Sequence, residues 1–175
     1  PGRVGEAAAR PVVLGGAIPR VAAHAVAGGL GVVQRVVRAA ALGAVGARGA
    51  AVAVVDLSGE AAERIAEQIR SNGGTALPFT CDVLDKGQLQ QVAQAIASRL
   101  GPPTALVNGA GGNRPEAATG PERSFFDLPK EAVRWVFDLN FLGTFLPSQV
   151  FGKYFADRKV GNILNVSSMN AFRPR

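Results

Sequence analysis

Cysteine and histidine are nearly absent from this 175-residue sequence, which holds one of each, Cys81 and His24. A single cysteine excludes an internal disulfide and gives no sign of an oxidising compartment. One cysteine with one histidine cannot form a zinc site of the usual kind. No run of 18 or more apolar residues is free of charge and glycine, so we expect no transmembrane helix. Hydrophobic residues still make up 47% of the chain, which excludes a disordered polar chain and favours one soluble, cytoplasmic, metal-free domain over residues 1–175.

Acidic residues are scarce in the first third of the chain. Residues 1–50 contain six arginines and one acid, Glu6, and they lack lysine, aspartate and aromatic residues. The net charge of +6 therefore comes mainly from this segment, which is rich in Ala, Gly, Val and Arg. It is either a basic arm or leader-like segment, or a segment of low information content. Neither clustered aromatics nor runs of Lys and Arg are present, so we do not expect a nucleic-acid partner.

Strand and helix patterns alternate from residue 51 onward. The predicted strands cover 51–57, 75–80, 104–107 and 162–166, and the predicted helices cover 59–71, 85–100 and roughly 129–157. A spacing of this kind implies right-handed βαβ crossovers. The sequence therefore predicts an α/β fold, a Rossmann-like doubly wound parallel sheet that is incomplete at the C-terminus. No linker or internal repeat divides it.

Polar residues and glycines follow the predicted strands, where the ligands of such sheets bind. Asp56 can accept hydrogen bonds from both hydroxyls of an adenosine ribose and repel a 2′-phosphate, which favours NAD over NADP. Its alternative is an ordinary solvated strand-end or helix-cap acid. Asp82 is a candidate for the adenine amino group, or else for a helix cap or turn.

The segment after the strand at 104–107 reads Asn108-Gly109-Ala110-Gly111. Such small residues allow a backbone to pass close to a flat ligand, and Asn108 can tie neighbouring strands together. A plain glycine loop is the alternative.

A phosphate-binding turn is predicted only weakly. Gly28, Gly29 and Gly31 lie between a possible strand at 21–27 and a possible helix at 32–45, whose first N–H groups could meet a pyrophosphate. Residues 13–18 offer a similar pattern too far upstream, and glycine turns are common in a segment so rich in glycine.

Ordered blocks across residues 51–172 resemble the short-chain dehydrogenases/reductases. The blocks are AVAVVD, CDV, LVNGAGG, FDLNFLGTF and GNILNVSS. The resemblance puts Asp82 and Val83 of CDV among the cofactor-binding residues. It also puts Asn140 at the catalytic-helix asparagine and Ser168 at the catalytic serine. The subgroup that the sequence looks most like is that of D-mannonate and related sugar-acid oxidoreductases.

The resemblance implies hydride transfer between NAD and a carbinol or carbonyl carbon of a sugar acid or polyol, by a homo-oligomer. In the family a tyrosine exchanges the substrate hydroxyl proton, and a lysine four residues later lowers its pKa, which otherwise lies near ~10. The serine hydrogen-bonds the substrate oxygen, and the asparagine anchors a water in the proton relay.

The sequence departs from the family in two ways. It reaches Arg175, seven residues past Ser168, before such a tyrosine–lysine pair; Tyr154 has lysine five residues later and lies upstream, so we interpret it as a packing residue. The strict TGxxxGxG phosphate loop is also missing. Two hypotheses follow: an NAD-dependent oxidoreductase represented here by an inactive fragment, or a catalytically silent nucleotide- or partner-binding chain.

Other residues receive structural interpretations. His24 is incidental to a strand, and Cys81 is a small buried thiol. Arg114 and Asn170 lie near the expected mouth of the site, where a substrate carboxylate or hydroxyl could meet them. Several aromatic pairs at helical or loop spacing are predicted to lie in the core; they are Phe125/Phe126, Trp135/Phe137 and Phe141/Phe145.

Overall fold

The computed structural model describes residues 20–24 and 49–167. The strands are β1 (Arg20–His24), β2 (Ala51–Asp56), β3 (Thr75–Thr80), β4 (Ala105–Asn108) and β5 (Asn162–Asn165). The helices are α1 (Gly59–Ser71), α2 (Lys86–Arg99), α3 (Lys130–Phe137) and α4 (Gly143–Arg158), with a π-helical segment over Asp138–Leu142 and 3₁₀ turns at Pro115–Ala117 and Phe125–Asp127.

All five described strands are parallel and form one sheet in the order β3-β2-β1-β4-β5. The chain thus moves outward from β1 in both directions, which is the doubly wound arrangement predicted from the alternation of strands and helices. The register pairs Asp56 with Thr80, and Asn108 with Asn165. The carboxyl ends of β2, β3, β4 and β5 therefore lie along the same edge of the sheet.

Helices cover both faces of the sheet, as the side-chain alternation along β2 shows. Val52 and Val54 pack on one face, with Ala62, Ala66 and Ile69 of α1. Ala53 and Val55 pack on the other, in a cluster that includes Leu89 and Ile96 of α2 and Phe151 and Phe155 of α4. Every residue of β2 is buried, since both faces of the strand are covered, and this burial explains the apolar run that precedes Asp56.

Side-chain caps fix the starts of two helices. Ser58 Oγ accepts a hydrogen bond from the N–H of Ala61 at 3.3 Å at the start of α1. Asp85 Oδ1 accepts one from the N–H of Gln88 at 3.0 Å at the start of α2, so Asp85 is the N-cap of the helix predicted over 85–100. After α1, Gly73 adopts a φ of +80°, the left-handed conformation that ends a helix at little cost for glycine.

The structure corrects several sequence-based predictions. The long helix predicted over 129–157 begins at Lys130 and contains a π-helical turn between α3 and α4. The boundaries of β2, β4 and β5 differ by one residue from those predicted. β1 includes most of the strand predicted at 21–27, and residues 25–27 lie outside the described residues.

The prediction that the aromatic pairs are core residues is wrong for most of them. The exposed fractions are 72% and 92% for Phe125 and Phe126, and 60%, 54% and 46% for Phe137, Phe141 and Phe145. The last three stack in sequence along one helical face, and within the described residues no element covers that face. Their spacing correctly indicates an apolar stripe, but it does not indicate what lies against the stripe.

The predictions for residues 13–18, Gly28, Gly29, Gly31, the helix at 32–45, Ser168 and Asn170 lie outside the described residues. Among the helices that the structure does describe, none combines the length and the apolar character needed to cross a membrane.

Candidate functional site

The polar residues predicted from the strand ends come together at the carboxyl edge of the sheet. Cys81 N–H donates to the Asp56 carbonyl at 3.0 Å, which holds the segment after β3 beside the end of β2. On the other side of β1, Val166 N–H donates to the Asn108 carbonyl at 3.0 Å. This edge is where α/β sheets of this topology bind their ligands.

Asp56 is a buried carboxylate at the end of β2, only 3% exposed. Its Oδ1 accepts a hydrogen bond from the N–H of Ser58 at 2.9 Å. The side-chain cap of α1 is Ser58 rather than Asp56, so Asp56 is neither a solvated strand-end acid nor the cap of this helix. The Ser58 contact orients the carboxylate at the turn from β2 into α1.

Asp82 forms a turn, which is the alternative that the sequence offers to a contact between Asp82 and the adenine amino group. Its Oδ1 accepts from the N–H of Leu84 at 2.9 Å, and its own N–H donates to Gln88 Oε1 at 3.0 Å. Val83 beside it is buried in a small cluster with Ala110 and Leu139. The turn therefore holds this segment against the loop that follows β4, and a contact with adenine stays a prediction.

Asn108 joins three elements from a position that is only 1% exposed. Its Nδ2 donates to Ser148 Oγ of α4 at 2.9 Å and to Asn165 Oδ1 of β5 at 2.8 Å. The bond to β5 is the strand-tying contact expected from the sequence. Ser148 Oγ in turn donates to the carbonyl of Thr144 at 2.7 Å, which fixes the direction of its hydroxyl. Sequence reasoning missed Ser148, because a serine inside a helix carries no signal for a partner 40 residues away.

The glycine loop after β4 lies against Asn140. Gly109, Ala110 and Gly111 are buried. A Cβ added at Gly111 would lie 2.8 Å from Asn140 Oδ1, so the missing side chain allows this close approach.

Asn140 also bonds the backbone of Gly112 in both directions. Its Oδ1 accepts from the Gly112 N–H at 3.2 Å, and its Nδ2 donates to the Gly112 carbonyl at 2.7 Å. The same Nδ2 donates to the carbonyl of Val136 at 2.7 Å, the carbonyl that the N–H of Asn140 would take in a regular α-helix. The π-helical turn thus coincides with the residue that holds the loop, and such turns are frequent at functional sites.

Cys81 and Tyr154 have the structural roles that the sequence predicted. Cys81 is 1% exposed, and burial, followed by the nearby charges of Asp82 and Asp85, raises the pKa of its thiol to about 11. A thiol with so high a pKa is unreactive at neutral pH. Tyr154 is half-buried on α4 and packs against the core cluster that contains Phe151 and Phe155.

One further contact lies at the same edge. The guanidinium carbon of Arg114 lies 4.1 Å above the centre of the Trp135 ring. Trp135 itself packs beside the cluster of Val83, Ala110 and Leu139. In the described part of the chain, no group of three or more Asp, Glu, His or Cys side chains is arranged to hold a metal ion.

Comparisons with known proteins agree with this arrangement. A family model described as short chain dehydrogenase matches residues 28–175. An uncharacterised oxidoreductase of Haemophilus influenzae is 42% identical over 133 residues, which cover 70% of this chain and 47% of that protein. The D-threitol dehydrogenase of Mycolicibacterium smegmatis is 36% identical over 133 residues, which cover 76% of this chain and 48% of that protein.

A solved structure shares the fold and part of the sequence. It is a Haemophilus protein assigned as a D-mannonate oxidoreductase, with bound NAD, and it aligns with a TM-score of 0.79 and 36% identity over 89% of this chain and 57% of that one. The chain spans about half the length of the curated relatives it matches. The family model covers most of the chain and the strand-end residues form the expected edge, so the chain belongs to the short-chain dehydrogenase family.

Proposed function

We propose that this chain carries the cofactor-binding part of a cytoplasmic, NAD-dependent oxidoreductase. The reaction is hydride transfer between NAD(H) and a carbinol or carbonyl carbon of a sugar acid or polyol. The observation that carries the proposal is the buried, oriented carboxylate of Asp56 at the end of β2. The NAD bound to the similar Haemophilus protein supports the cofactor class.

The residues at the sheet edge fit a dinucleotide. Asp56 would accept hydrogen bonds from the adenosine ribose, and its negative charge would repel a 2′-phosphate. Asp82 and Val83 would lie beside the adenine, while Asn108, Gly109, Ala110 and Gly111 would line the path of the cofactor toward the reacting carbon. Bound there, NAD supplies the hydride acceptor.

Roles for the protein's own residues follow from the contacts of Asn140. Its side-chain amide bonds the backbone of Gly112 and the carbonyl of Val136, so it holds the loop after β4 against the π-helical turn. Its role in anchoring a water of the proton relay, and that of Ser168 in binding the substrate oxygen, are proposed from the family resemblance. Gly28, Gly29 and Gly31 are proposed as the phosphate-binding turn because the N–H groups at the start of the helix predicted after them could meet a pyrophosphate.

The substrate class rests on the names of two relatives. One is a D-threitol dehydrogenase, which names a polyol, and the other is assigned to D-mannonate, a sugar acid. We also propose that the complete enzyme is a homo-oligomer, since the stacked Phe137, Phe141 and Phe145 leave an apolar face exposed.

The catalytically silent alternative has its own support. The only tyrosine of the sequence, Tyr154, packs against the core cluster and has no lysine four residues later. In that case the chain would bind a nucleotide or a partner without turnover. NAD binding is common to the nucleotide-binding form of this alternative and to the main proposal.

Calorimetric titration of the chain with NAD and with NADP tests the cofactor proposal. We expect NAD to bind more tightly, and Asp56→Ala to weaken NAD binding about tenfold or more, as loss of hydrogen bonds to a charged group of about 1.5–3 kcal/mol implies. The matched control is Asp157→Ala, which removes the same charge from an exposed ion pair with Lys153 and should leave the affinity for NAD unchanged. Tighter binding of NADP than of NAD would overturn the assignment of Asp56.

A further inference from the structure

Arg114 has a fixed position at the edge of the candidate site. It follows Gly112 by two residues, and Asn140 holds the backbone of Gly112 through two hydrogen bonds. The Arg114 carbonyl accepts from the N–H of Ala117 at 3.0 Å, and its N–H donates to Asn113 Oδ1 at 2.9 Å. Both ends of the residue's backbone are therefore held close to the loop that lines the proposed cofactor path.

The side chain of Arg114 is held by an aromatic ring. Its guanidinium carbon lies 4.1 Å from the centre of the Trp135 ring, well within the range of cation–π attraction. Trp135 is half-buried beside Val83, Ala110 and Leu139, and this packing holds its ring in place beneath the guanidinium. The five N–H donors of a guanidinium lie in its own plane, so they remain available to bind an anion while the cation contacts the ring.

Those donors have no anionic partner among the described residues. Arg70 pairs with Glu63 and Glu67, and Arg134 pairs with Asp138. Arg114, by contrast, forms neither an ion pair nor a side-chain hydrogen bond there, although its guanidinium is held at the mouth of the site.

We propose that Arg114 is the specificity residue that binds the carboxylate of a sugar-acid substrate, with Trp135 holding its guanidinium in place. This inference rests on the proposed function and selects between its two substrate classes. A carboxylate accepts two parallel N–H bonds from a guanidinium, and the charge-assisted pair is stronger than neutral hydrogen bonds. A polyol of the same length offers only hydroxyls. The site should therefore prefer the acid.

The chain contains a built-in reporter for this contact, because Trp135 is its only tryptophan. A carboxylate that binds Arg114 changes the charge above the indole ring. We expect D-mannonate to change the fluorescence of the chain in a saturable way, with and without NAD. The neutral control is D-mannitol, which has the same number of carbons and should give no saturable change.

The variants require a second measurement, since replacing Arg114 also alters the surroundings of the indole. Ligand-observed NMR should show D-mannonate binding at least about tenfold more weakly to Arg114→Gln, as expected when a charge-assisted hydrogen bond is lost. Arg114→Lys should restore part of the binding, because it keeps the charge but not the planar pair of donors. The matched control is Arg99→Gln, which should leave D-mannonate binding unchanged. Arg99 also lies over an aromatic ring, that of Phe79 at 5.4 Å, but it is the last residue of α2.

The outcomes separate this inference from the proposed function. Equal D-mannonate binding by the unmodified chain and Arg114→Gln, equal responses to D-mannonate and D-mannitol, or no saturable response at all would each overturn the role of Arg114. NAD binding measured on the same samples is independent of those results. Its absence would overturn the proposed cofactor site instead.

Discussion

Gly111→Ala should destabilise the chain because of one contact. The added Cβ would lie 2.8 Å from Asn140 Oδ1, closer than real Cβ contacts occur. The backbone of Gly111 does not require a positive φ, so alanine brings no conformational strain of its own. The amide of Asn140 must therefore move, and moving it breaks the two hydrogen bonds that it forms with Gly112.

The size of the effect follows from those two bonds. Each is worth about 0.5–1.5 kcal/mol, and the exposure of Asn140 favours the lower part of the range, so we expect a loss of about 1–2 kcal/mol in the free energy of unfolding. For a domain of this size, 1 kcal/mol corresponds to about 2–4 °C in Tm. Urea unfolding followed by circular dichroism at 222 nm measures the difference.

A matched control and a double mutant test the cause. Gly120→Ala places a Cβ where nothing lies within 4 Å, so it should not lower stability. In an Asn140→Ala background the clash disappears, and Gly111→Ala should then cost almost nothing more. The reasoning would be refuted if Gly111→Ala were as stable as Gly120→Ala, or if its full cost persisted without Asn140.

Three other predictions concern activity, association and pH. The chain should form no NADH from sugar acids or polyols, because its one tyrosine, Tyr154, packs against the core and is not placed to transfer a proton. Turnover that Tyr154→Phe abolishes would show instead that Tyr154 is the catalytic residue. The chain should self-associate in sedimentation velocity, because Phe137, Phe141 and Phe145 together expose roughly 300 Å² of apolar surface, as much as the largest apolar patch on a typical monomer. Replacing these three residues with Gln should reduce the association. A monodisperse monomer of the unmodified chain would contradict this prediction. Burial raises the thiol pKa of Cys81 from 9.0 to about 11, so the native state holds this proton more tightly than the unfolded chain does. The resulting contribution to stability is complete below pH 9 and is lost as the pH rises toward 11. Iodoacetamide at pH 8 should label Cys81 only after unfolding, and fast labelling of the native chain would disprove its burial.

The sequence predicts the sheet well because the signals for its elements are local. The apolar run ending at Asp56 reports a strand buried on both faces, and Asp85 reports a helix start through a contact three residues away. The expected role of Asn108 in tying strands together is confirmed by its bond to Asn165. In each case the residue type and its immediate neighbours determine the outcome.

Predictions that depend on distant partners were wrong or missing. The spacing of Phe137, Phe141 and Phe145 is that of a buried stripe, yet these residues are about half exposed. Periodicity indicates an apolar face, but it does not indicate which element packs against that face. The contact of Arg114 with Trp135 joins residues 21 positions apart. Neither residue carries a local pattern that indicates the other.

The central claim is that the carboxyl edge of this sheet binds NAD through Asp56, and a crystal structure of the chain with NAD tests it most directly. The account predicts both hydroxyls of the adenosine ribose within hydrogen-bonding distance of the Asp56 carboxylate, with the cofactor passing along Gly109–Gly111. NAD bound at any other surface, or with its adenosine ribose away from Asp56, would contradict the account.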